Sequence, residues 1–540
     1  MRLKNMLVLC ALSAFALPAN AVAGSSMYIG AVDNAPLHGD AKAKVDLARL
    51  AGFSAIRVNR YWSRDDGSTV RSTDLELLKN ATGAAQLDGL RVILSISNED
   101  SRTTPRTPQE QQDFADYCAA FARALPSVTD FIIGNEPNLN MFWMPQFSKP
   151  VYGYRTKRVR VHGKLIRKRE RYVKKAPADL AAPAYESLLA KTYDALKGVN
   201  PDLNVIGVAL SPRGGDVWNS KRPTHSPQTF IADVGAAYRA SGRTTPIMDA
   251  FAIHPYLEKS SLPPTFAHPR SKNIGLADYG KLVASLGKAF DGTAQPGSTL
   301  PIVYDEFGVQ SKIPPSKAHA YTNLNTKRAQ DSVPESTQAA YYRQALRMTY
   351  CQPNVVGMLL FHVSDERDAK AWQSGLYYAD DTPKSSLAPV REVIEAAANG
   401  TLAQCSAAVE LREVLAPSVT SYASDNTMWR LAVTCGKWCT FVARVERYPH
   451  GTPVLETKGD AAPNAPTAVV FPDKQLPPGT YRYSIRVYAY GKVGTTVVRA
   501  STPFTVEEPP AVPPPTAVPP LPPVPSVPLP VLPPLPTTRS

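Results

Sequence analysis

Eight short apolar runs rich in β-branched residues alternate with longer amphipathic segments between Met27 and about Ala398. The predicted strands are residues 28–32, 55–59, 91–96, 130–133, 204–208, 250–254, 302–304 and 357–361. A helical pattern follows each run, so the sequence predicts eight βα units and favours a (β/α)8 TIM barrel with insertions. The alternative is an open, doubly wound sheet. It would need a phosphate-binding glycine loop after the first strand, and Gly30-Ala31-Val32-Asp33 does not supply one.

Start signals support two of the predicted helices. The third opens at Thr107-Pro108-Gln109-Glu110, which combines a capping box with proline at the first helical position. The fifth is expected to begin at Ser226-Pro227, and the eighth is expected to cover residues 387–398.

Beyond Cys405 the pattern changes to alternating apolar and polar positions, which is typical of half-buried strands. The predicted strands are 429–434, 440–445, 481–490 and 497–506. We interpret 406–507 as a small all-β sandwich of the immunoglobulin or fibronectin type, serving as a spacer, with a sugar-binding module as the alternative. Residues 509–536 hold fifteen prolines and no charge, which predicts a disordered, proline-rich tail over 508–540.

The N-terminal residues have the pattern of an export signal. Arg2 and Lys4 precede an apolar run over 6–17, and small residues over 19–23 offer cleavage sites. We therefore expect 1–23 to be a signal peptide and the protein to be secreted, with cell-wall association left open. The alternative is an N-terminal membrane anchor, for which the run is short, because a spanning helix needs about 20 apolar residues.

Export would place the remaining five cysteines in an oxidising compartment, where disulfides form. Cys435 and Cys439 are close enough in sequence to clip a turn. Cys351 and Cys405 follow the last two predicted barrel helices. Cys118 lies on an amphipathic helix and is expected to be a buried free thiol.

The net charge of +14 is concentrated in one segment. Residues 149–175 contain twelve lysines and arginines against the single Glu170, so this insertion carries +11 and the rest of the chain about +3. Its alternating pattern around His162-Gly163 predicts a β-hairpin, with a flexible solvated flap as the alternative. The hairpin would suit contact with an anionic polymer, either the substrate or a component of the cell envelope.

Two carboxylates directly follow apolar strands. Glu136 follows the fourth predicted strand and Glu306 the seventh. Side chains at the C-terminal ends of barrel strands converge on one mouth, so the two carboxyl groups are expected to face each other. Glycoside cleavage needs such a pair, one carboxyl to protonate the leaving oxygen and one to attack the anomeric carbon or activate water.

Asn135-Glu136-Pro137 and Glu306-Phe307-Gly308 resemble the motifs of clan A glycoside hydrolases, especially the cellulase-like families five and thirty-nine. The resemblance covers residues 27 to about 400. It implies that Glu136 is the acid/base, that Glu306 is the nucleophile of a retaining mechanism, and that Asn135 binds the sugar 2-hydroxyl.

The same resemblance implies further substrate-binding residues. Arg57 matches the clan arginine that keeps the nucleophile ionised, and His254 and Tyr256 match the usual aromatic pair after the sixth strand. The chain departs from the pattern in two places. Ser95-Ile96-Ser97-Asn98 stands where the clan often has histidine, and Phe361-His362 stands where it usually has tryptophan. Trp372 is expected to take that tryptophan's place.

Each of these residues also has a purely structural interpretation. Arg57 can be a surface arginine, His254 can be a structural histidine, and Trp62, Trp143 and Trp372 can each be core residues rather than sugar-stacking ones. Asp305 is expected to support the site rather than act as a third catalyst.

The sequence thus predicts a secreted retaining O-glycosidase acting on a poly- or oligosaccharide. We expect no cofactor, metal, nucleic-acid partner or transmembrane segment, and we expect a monomer. The alternative is a carbohydrate- or envelope-binding surface protein on an inactive barrel.

Overall fold

A computed structural model describes residues 27–402, apart from 162–163, 269 and 325–330, and several stretches of the C-terminal region. Those stretches are 418–422, 430–435, 439–461, 467–471, 476–489, 496–500 and 503–506. The expected signal peptide, proline-rich tail and domain boundary near 405 lie outside the described residues.

Eight parallel strands close into a barrel in the order β1-β10-β9-β8-β7-β4-β3-β2. Their bounds are β1 Tyr28–Val32, β2 Ala55–Trp62, β3 Arg91–Asn98, β4 Asp130–Ile133, β7 Asn204–Leu210, β8 Ala250–Ile253, β9 Ile302–Phe307 and β10 Val355–Phe361. The predicted TIM barrel is confirmed. The strands β2, β3, β7 and β9 run two or three residues beyond the predicted ends.

Eight helices connect the strands. Their bounds are α1 Ala41–Leu50, α2 Ser72–Leu87, α3 Pro108–Ala124, α4 Ala181–Val199, α5 Pro227–Ser241, α6 Tyr279–Phe290, α7 Glu335–Tyr350 and α8 Leu387–Ala398. The Thr107 side chain accepts a hydrogen bond from the Glu110 amide, and the Glu110 side chain bonds back to the Thr107 amide, so the predicted capping box is present. The predicted starts of α5 and α8 are also confirmed.

Small and β-branched side chains fill the barrel interior. They include Val32, Ala55, Ile93, Ile132, Ile206, Ala250, Val303 and Leu359, all at most 2% exposed. The larger apolar side chains of the strands and helices form a second, outer layer. Gly30 permits the closest approach inside the barrel, because a Cβ there would lie 2.3 Å from the carbonyl oxygen of Ala55.

The basic insertion forms a two-stranded antiparallel ribbon, β5 Val151–Val161 and β6 Lys164–Lys175. The predicted hairpin is confirmed. No other described helix or strand packs extensively against it.

The C-terminal region forms two antiparallel sheets. One contains β11 Ser418–Tyr422, β12 Arg430–Thr434 and β15 Thr467–Val470, and the other β13 Cys439–Arg447, β14 Thr452–Ala461, β16 Gly479–Ala489, β17 Thr496–Ala500 and β18 Phe504–Val506. They share a buried core that includes Phe441, Val445, Tyr481 and Ile485, as a β-sandwich requires. Sequence patterning missed β11, β14 and β15.

The cysteines follow the expectations where the structure describes them. Cys435 and Cys439 form a disulfide, Cys351 is also disulfide-bonded, and Cys118 is a buried free thiol on α3. Among the described residues, no helix is long and apolar enough to cross a membrane.

Candidate active site

The loop after β4 aims Glu136 across the barrel mouth. Gly134 has φ +93°, and a Cβ there would press on the Tyr185 ring at 2.8 Å, so glycine suits this close turn. Glu136 itself has φ +43°, which is uncommon for a residue with a side chain. Its amide donates to the carbonyl oxygen of Ala209 at the end of β7, which holds the turn in place. Such held strain is typical of functional positions.

His254, at the end of β8, lies between the two glutamates. Its Nδ1 atom is 3.0 Å from Oε1 of Glu136 and 3.5 Å from Oε2 of Glu306. Both oxygens contact one nitrogen, so they can be no farther apart than the sum of these distances, 6.5 Å. The two carboxylates therefore face each other across a gap that one glycosidic bond would fill.

Glu306 accepts hydrogen bonds from two further side chains. Arg57 Nη1 donates to its Oε1 at 3.1 Å, and the Tyr256 hydroxyl donates to its Oε2 at 3.2 Å. Arg57 also donates to Oδ2 of Asp305 at 3.0 Å and to Ser95 Oγ at 3.1 Å. Arg57 is thus a buried residue of the site rather than a surface one.

The buried charges under the two glutamates stabilise each other. Burial alone would lower the pKa of His254, but the negative charges of Glu306 and Asp305 outweigh it and raise that pKa to about 10. Burial alone would raise the pKa of Asp305, but the charges of His254 and Arg57 hold it below its ordinary value. Burial and the charge of Glu306 together raise the pKa of Tyr256. The site therefore holds a cationic His254, an ionised Asp305 and a neutral Tyr256.

An aromatic cluster borders the carboxylates. The half-buried Trp372 ring has its centroid 5.0 Å from that of Tyr256 and 5.4 Å from that of Phe361. Trp372 therefore packs beside Tyr256 and Phe361, near the two glutamates. Trp62 and Trp143 are core residues, at 1% and 2% exposure, because Trp62 packs on Phe114 and Trp143 on Tyr185.

The remaining sequence-derived positions are also at the mouth. Asn135 is half-buried and directly precedes Glu136. Asn98, at the end of β3, is buried and donates to the carbonyl oxygens of Asp100 and Phe142, so it supports a loop.

Sequence reasoning missed Tyr61 as part of the site, and it named Ser95 and Phe361 only as departures from the clan pattern. Tyr61 lies on the extended end of β2 and its side chain is 46% exposed. Partial burial of the hydroxyl raises the pKa of Tyr61; the charge of Arg57 opposes this rise and the charge of Glu306 adds to it. Tyr61 lies four residues after Arg57. Side chains alternate between the two faces of a strand, so a prediction that extended β2 to Tyr61 would have placed both residues on the same face at the mouth. The truncated strand prediction, 55–59, hid that signal.

One group of side chains in the described part of the chain could hold a cation. Asp179, His225 and Asp233 bring their ligand atoms within 4.8 Å of one another near the base of the ribbon. Asp179 Oδ1 lies 3.2 Å from His225 Nε2, and hydrogen bonding to Asp179, opposed by burial, leaves the pKa of His225 raised. A protonated His225 would balance the acids without a metal.

No family model and no curated protein matches the chain. Among solved structures, a family 39 glycoside hydrolase from Bacteroides cellulosilyticus WH2 is 16% identical, with 83% of this chain and 81% of that chain covered and a TM-score of 0.46. A family 5, subfamily 18 enzyme from Streptomyces cattleya in complex with Manβ1-4GlcNAc is 17% identical (68% and 80% covered, TM-score 0.43).

A calcium-binding mutant of β-glucuronidase 2 from Bacteroides uniformis is 14% identical, with 90% of this chain covered and a TM-score of 0.40. This chain spans 45% of that protein's length. Because each TM-score lies below 0.5, the function is inferred below from the site's own geometry.

Proposed function

We propose that this protein is a retaining glycoside hydrolase that cleaves a poly- or oligosaccharide with Glu136 and Glu306. The observation that carries the proposal is the pair of carboxylates that contact one histidine nitrogen, which leaves the two contacting oxygens at most 6.5 Å apart. Retaining glycosidases separate their carboxyl groups by about 5–5.5 Å, whereas inverting ones leave about 6.5–9.5 Å for a water molecule. The choice of a retaining mechanism rests on the donors around Glu306, which suit a nucleophile, and not on this upper limit.

The partners of each carboxylate support the assignment of roles. Glu306 contacts Arg57 and Tyr256 as well as His254, and donors of this kind stabilise an ionised nucleophile. Among the described side chains, Glu136 hydrogen-bonds only to His254. With Glu306 assigned as the nucleophile, Glu136 is left as the acid/base on the opposite side of the scissile bond.

The reaction proceeds in two balanced steps. Glu306 attacks the anomeric carbon while Glu136 gives its proton to the glycosidic oxygen, so the carbon–oxygen bond breaks and the leaving sugar departs as an alcohol. Glu136, now ionised, then takes a proton from water, whose oxygen attacks the same carbon and releases Glu306. Tyr256 and Trp372 offer apolar faces to the sugar beside the reacting bond.

Azide separates the two roles. Glu136→Ala should cut turnover of a natural glycoside by roughly 10²–10⁴-fold, the usual contribution of general acid–base catalysis. On an aryl glycoside with a good leaving group, added azide should restore turnover and give a glycosyl azide of retained configuration. Glu306→Ala should lose more, and any azide product it forms should have inverted configuration.

Glu392→Gln is a matched control, because Glu392 is exposed on α8. It should leave the rate unchanged. An inverted azide product from Glu136→Ala would exchange the two roles, and an inverted sugar product from the unaltered enzyme would eliminate the retaining mechanism.

The rival hypothesis is an inactive barrel that only binds carbohydrate. A screen of aryl glycosides separates the enzyme from the binding protein. A binding protein would hydrolyse none of the glycosides faster than the double variant Glu136→Ala/Glu306→Ala does. The intact carboxylate pair and the cationic His254 between them favour the enzyme.

We also propose that the protein is exported, from the basic and apolar pattern of residues 1–23. The Cys435–Cys439 disulfide suits an oxidising compartment. N-terminal sequencing of the protein from cell and culture fractions tests this proposal, and an intact residue 1 in both fractions would contradict it.

A further inference from the structure

The ribbon formed by β5 and β6 presents two solvent-exposed faces of different chemistry. Side chains alternate between faces along a strand, and directly paired residues share a face. The pairing Arg158↔Arg167 therefore belongs to one face and the neighbouring pairing Lys157↔Lys168 to the other. At about 3.4 Å per residue, the eleven residues of β5 extend the ribbon by roughly 35 Å.

Between the pairs Tyr152↔Val173 and Arg160↔Leu165, one face of the ribbon carries arginine as its only charged residue type. This arginine face contains Arg158, Arg160, Arg167, Arg169 and Arg171, and all five are exposed. The opposite face has Lys157, Lys164 and Lys168, with Arg155 bound to Glu170 at 2.9 Å. The opposite face thus neutralises part of its charge internally, whereas no acidic residue shares the arginine face.

Two of the five arginines are held in place by tyrosines. The Arg169 guanidinium lies 4.2 Å from the centroid of Tyr154, and that of Arg171 lies 3.5 Å from the centroid of Tyr152. Stacking fixes the planar guanidinium groups and reduces the entropy lost when they bind an anion.

The other three arginines repel one another. Arg158 and Arg167 lie directly opposite each other on adjacent strands, where like charges destabilise the pairing, and Arg160 is two residues from Arg158 along β5. An isolated two-stranded ribbon is marginally stable in water, so this repulsion is costly. A bound anion would remove it.

We propose that the arginine face binds an acidic polysaccharide, a glycan carrying carboxylate or sulfate groups, beside the catalytic mouth. Guanidinium groups bind such oxyanions in a bidentate manner, which compact lysine ammonium groups do not. The inference rests on the proposed glycosidase function for its choice of glycan, because the ribbon belongs to the loop that follows Glu136.

Two triple variants with equal charge loss test the face. Arg158→Gln/Arg160→Gln/Arg167→Gln removes three charges from the arginine face, and Lys157→Gln/Lys164→Gln/Lys168→Gln removes three from the opposite face over the same half of the ribbon. Binding of the full-length protein to dextran sulfate, polygalacturonate, neutral dextran and duplex DNA is measured at low and high salt.

The arginine variant should bind the two acidic glycans about tenfold or more weakly, and the lysine variant within about threefold of the unaltered protein. The affinity should fall with added salt, because exposed charges are screened beyond about 8 Å at physiological ionic strength. Arg158→Lys/Arg160→Lys/Arg167→Lys, which keeps the charge, should recover only part of the loss. Neutral dextran should not bind through the ribbon.

Equal losses in the two triple variants, or none in either, would overturn the proposal. So would arginine-dependent binding of DNA alone, since the partner would then be a nucleic acid. Turnover of a small neutral aryl glycoside should be unchanged in every ribbon variant, which also verifies that they fold. If the unaltered protein hydrolyses no glycoside yet binds acidic glycans through the arginine face, the glycosidase proposal fails while this one stands.

Discussion

Arg57 and Asp305 form an ion pair at 3.0 Å in which both side chains are buried, at 2% and 0% exposure. The same Nη1 atom of Arg57 contacts Glu306, the next residue after Asp305. A buried charge without a partner is strongly unfavourable, and the charges of His254 and Arg57 together keep the buried Asp305 ionised. Arg57 therefore links a buried ion pair of the barrel to the proposed nucleophile.

Arg57→Met should destabilise the protein by up to about 3–5 kcal/mol, because the buried Asp305 would keep only His254 as a cationic partner. Glycosidase activity should fall with it. Chemical denaturation and turnover of an aryl glycoside measure the two effects. In Arg57→Met/Asp305→Asn, much of the stability should return while activity stays low, since Glu306 still lacks its donor.

Arg71→Met is the control for that measurement. Arg71 pairs with Asp74 on the surface and is 61% exposed, so its loss should change the stability by less than about 1 kcal/mol. Equal effects of the two arginine variants would show that the burial of the Arg57 pair has no energetic importance.

His254 should remain protonated through neutral pH. Its pKa is raised from 6.5 to about 10, so the stabilisation it provides is complete below about pH 6.5 and is lost as the pH rises toward 10. The free energy of unfolding should fall over this window relative to that of His254→Gln. NMR of labelled imidazole groups should show the His254 ring cationic at pH 8. A ring that titrates near pH 6.5 would refute this prediction.

Trp372→Ala should weaken substrate binding more than it slows chemistry. The ring stacks near Tyr256 beside the carboxylates, and aromatic contacts of this type contribute about 0.5–1.5 kcal/mol. The expected result is a roughly three- to tenfold fall in kcat/KM, mostly through KM. Trp143→Phe, in the core, should instead lower the melting temperature and leave KM unchanged.

Cys118 should be unreactive in the folded protein. The thiol is fully buried and burial raises its pKa, so little reactive thiolate forms. A thiol reagent such as DTNB should modify it only after unfolding. In Cys118→Ala, the DTNB signal that this thiol adds on unfolding should be absent. Rapid labelling of Cys118 in the native protein would show that α3 opens readily.

The arrangement of the site was partly predictable because barrel geometry is regular. Once eight βα units were recognised, Glu136, His254 and Glu306 had to lie at one mouth, since parallel strands in a barrel share the direction of their C-terminal ends. The tryptophans were not predictable in the same way. Trp62, Trp143 and Trp372 all lie outside the apolar runs, and only packing against Phe114, Tyr185 or Tyr256 distinguishes core from cleft.

Local patterning determined the strands and helices of the barrel, the capping box at Thr107 and the hairpin around residues 162–163, because each depends on residues near one another in sequence. The tertiary structure alone decided which groups surround Glu306 and how close Glu136 comes to it. Arg57, Tyr256 and Glu306 are some 50 to 250 positions apart, and the 3.0–3.5 Å contacts among such residues follow from strand register and loop conformation. Those long-range contacts set the charges of the site, which no local pattern encodes.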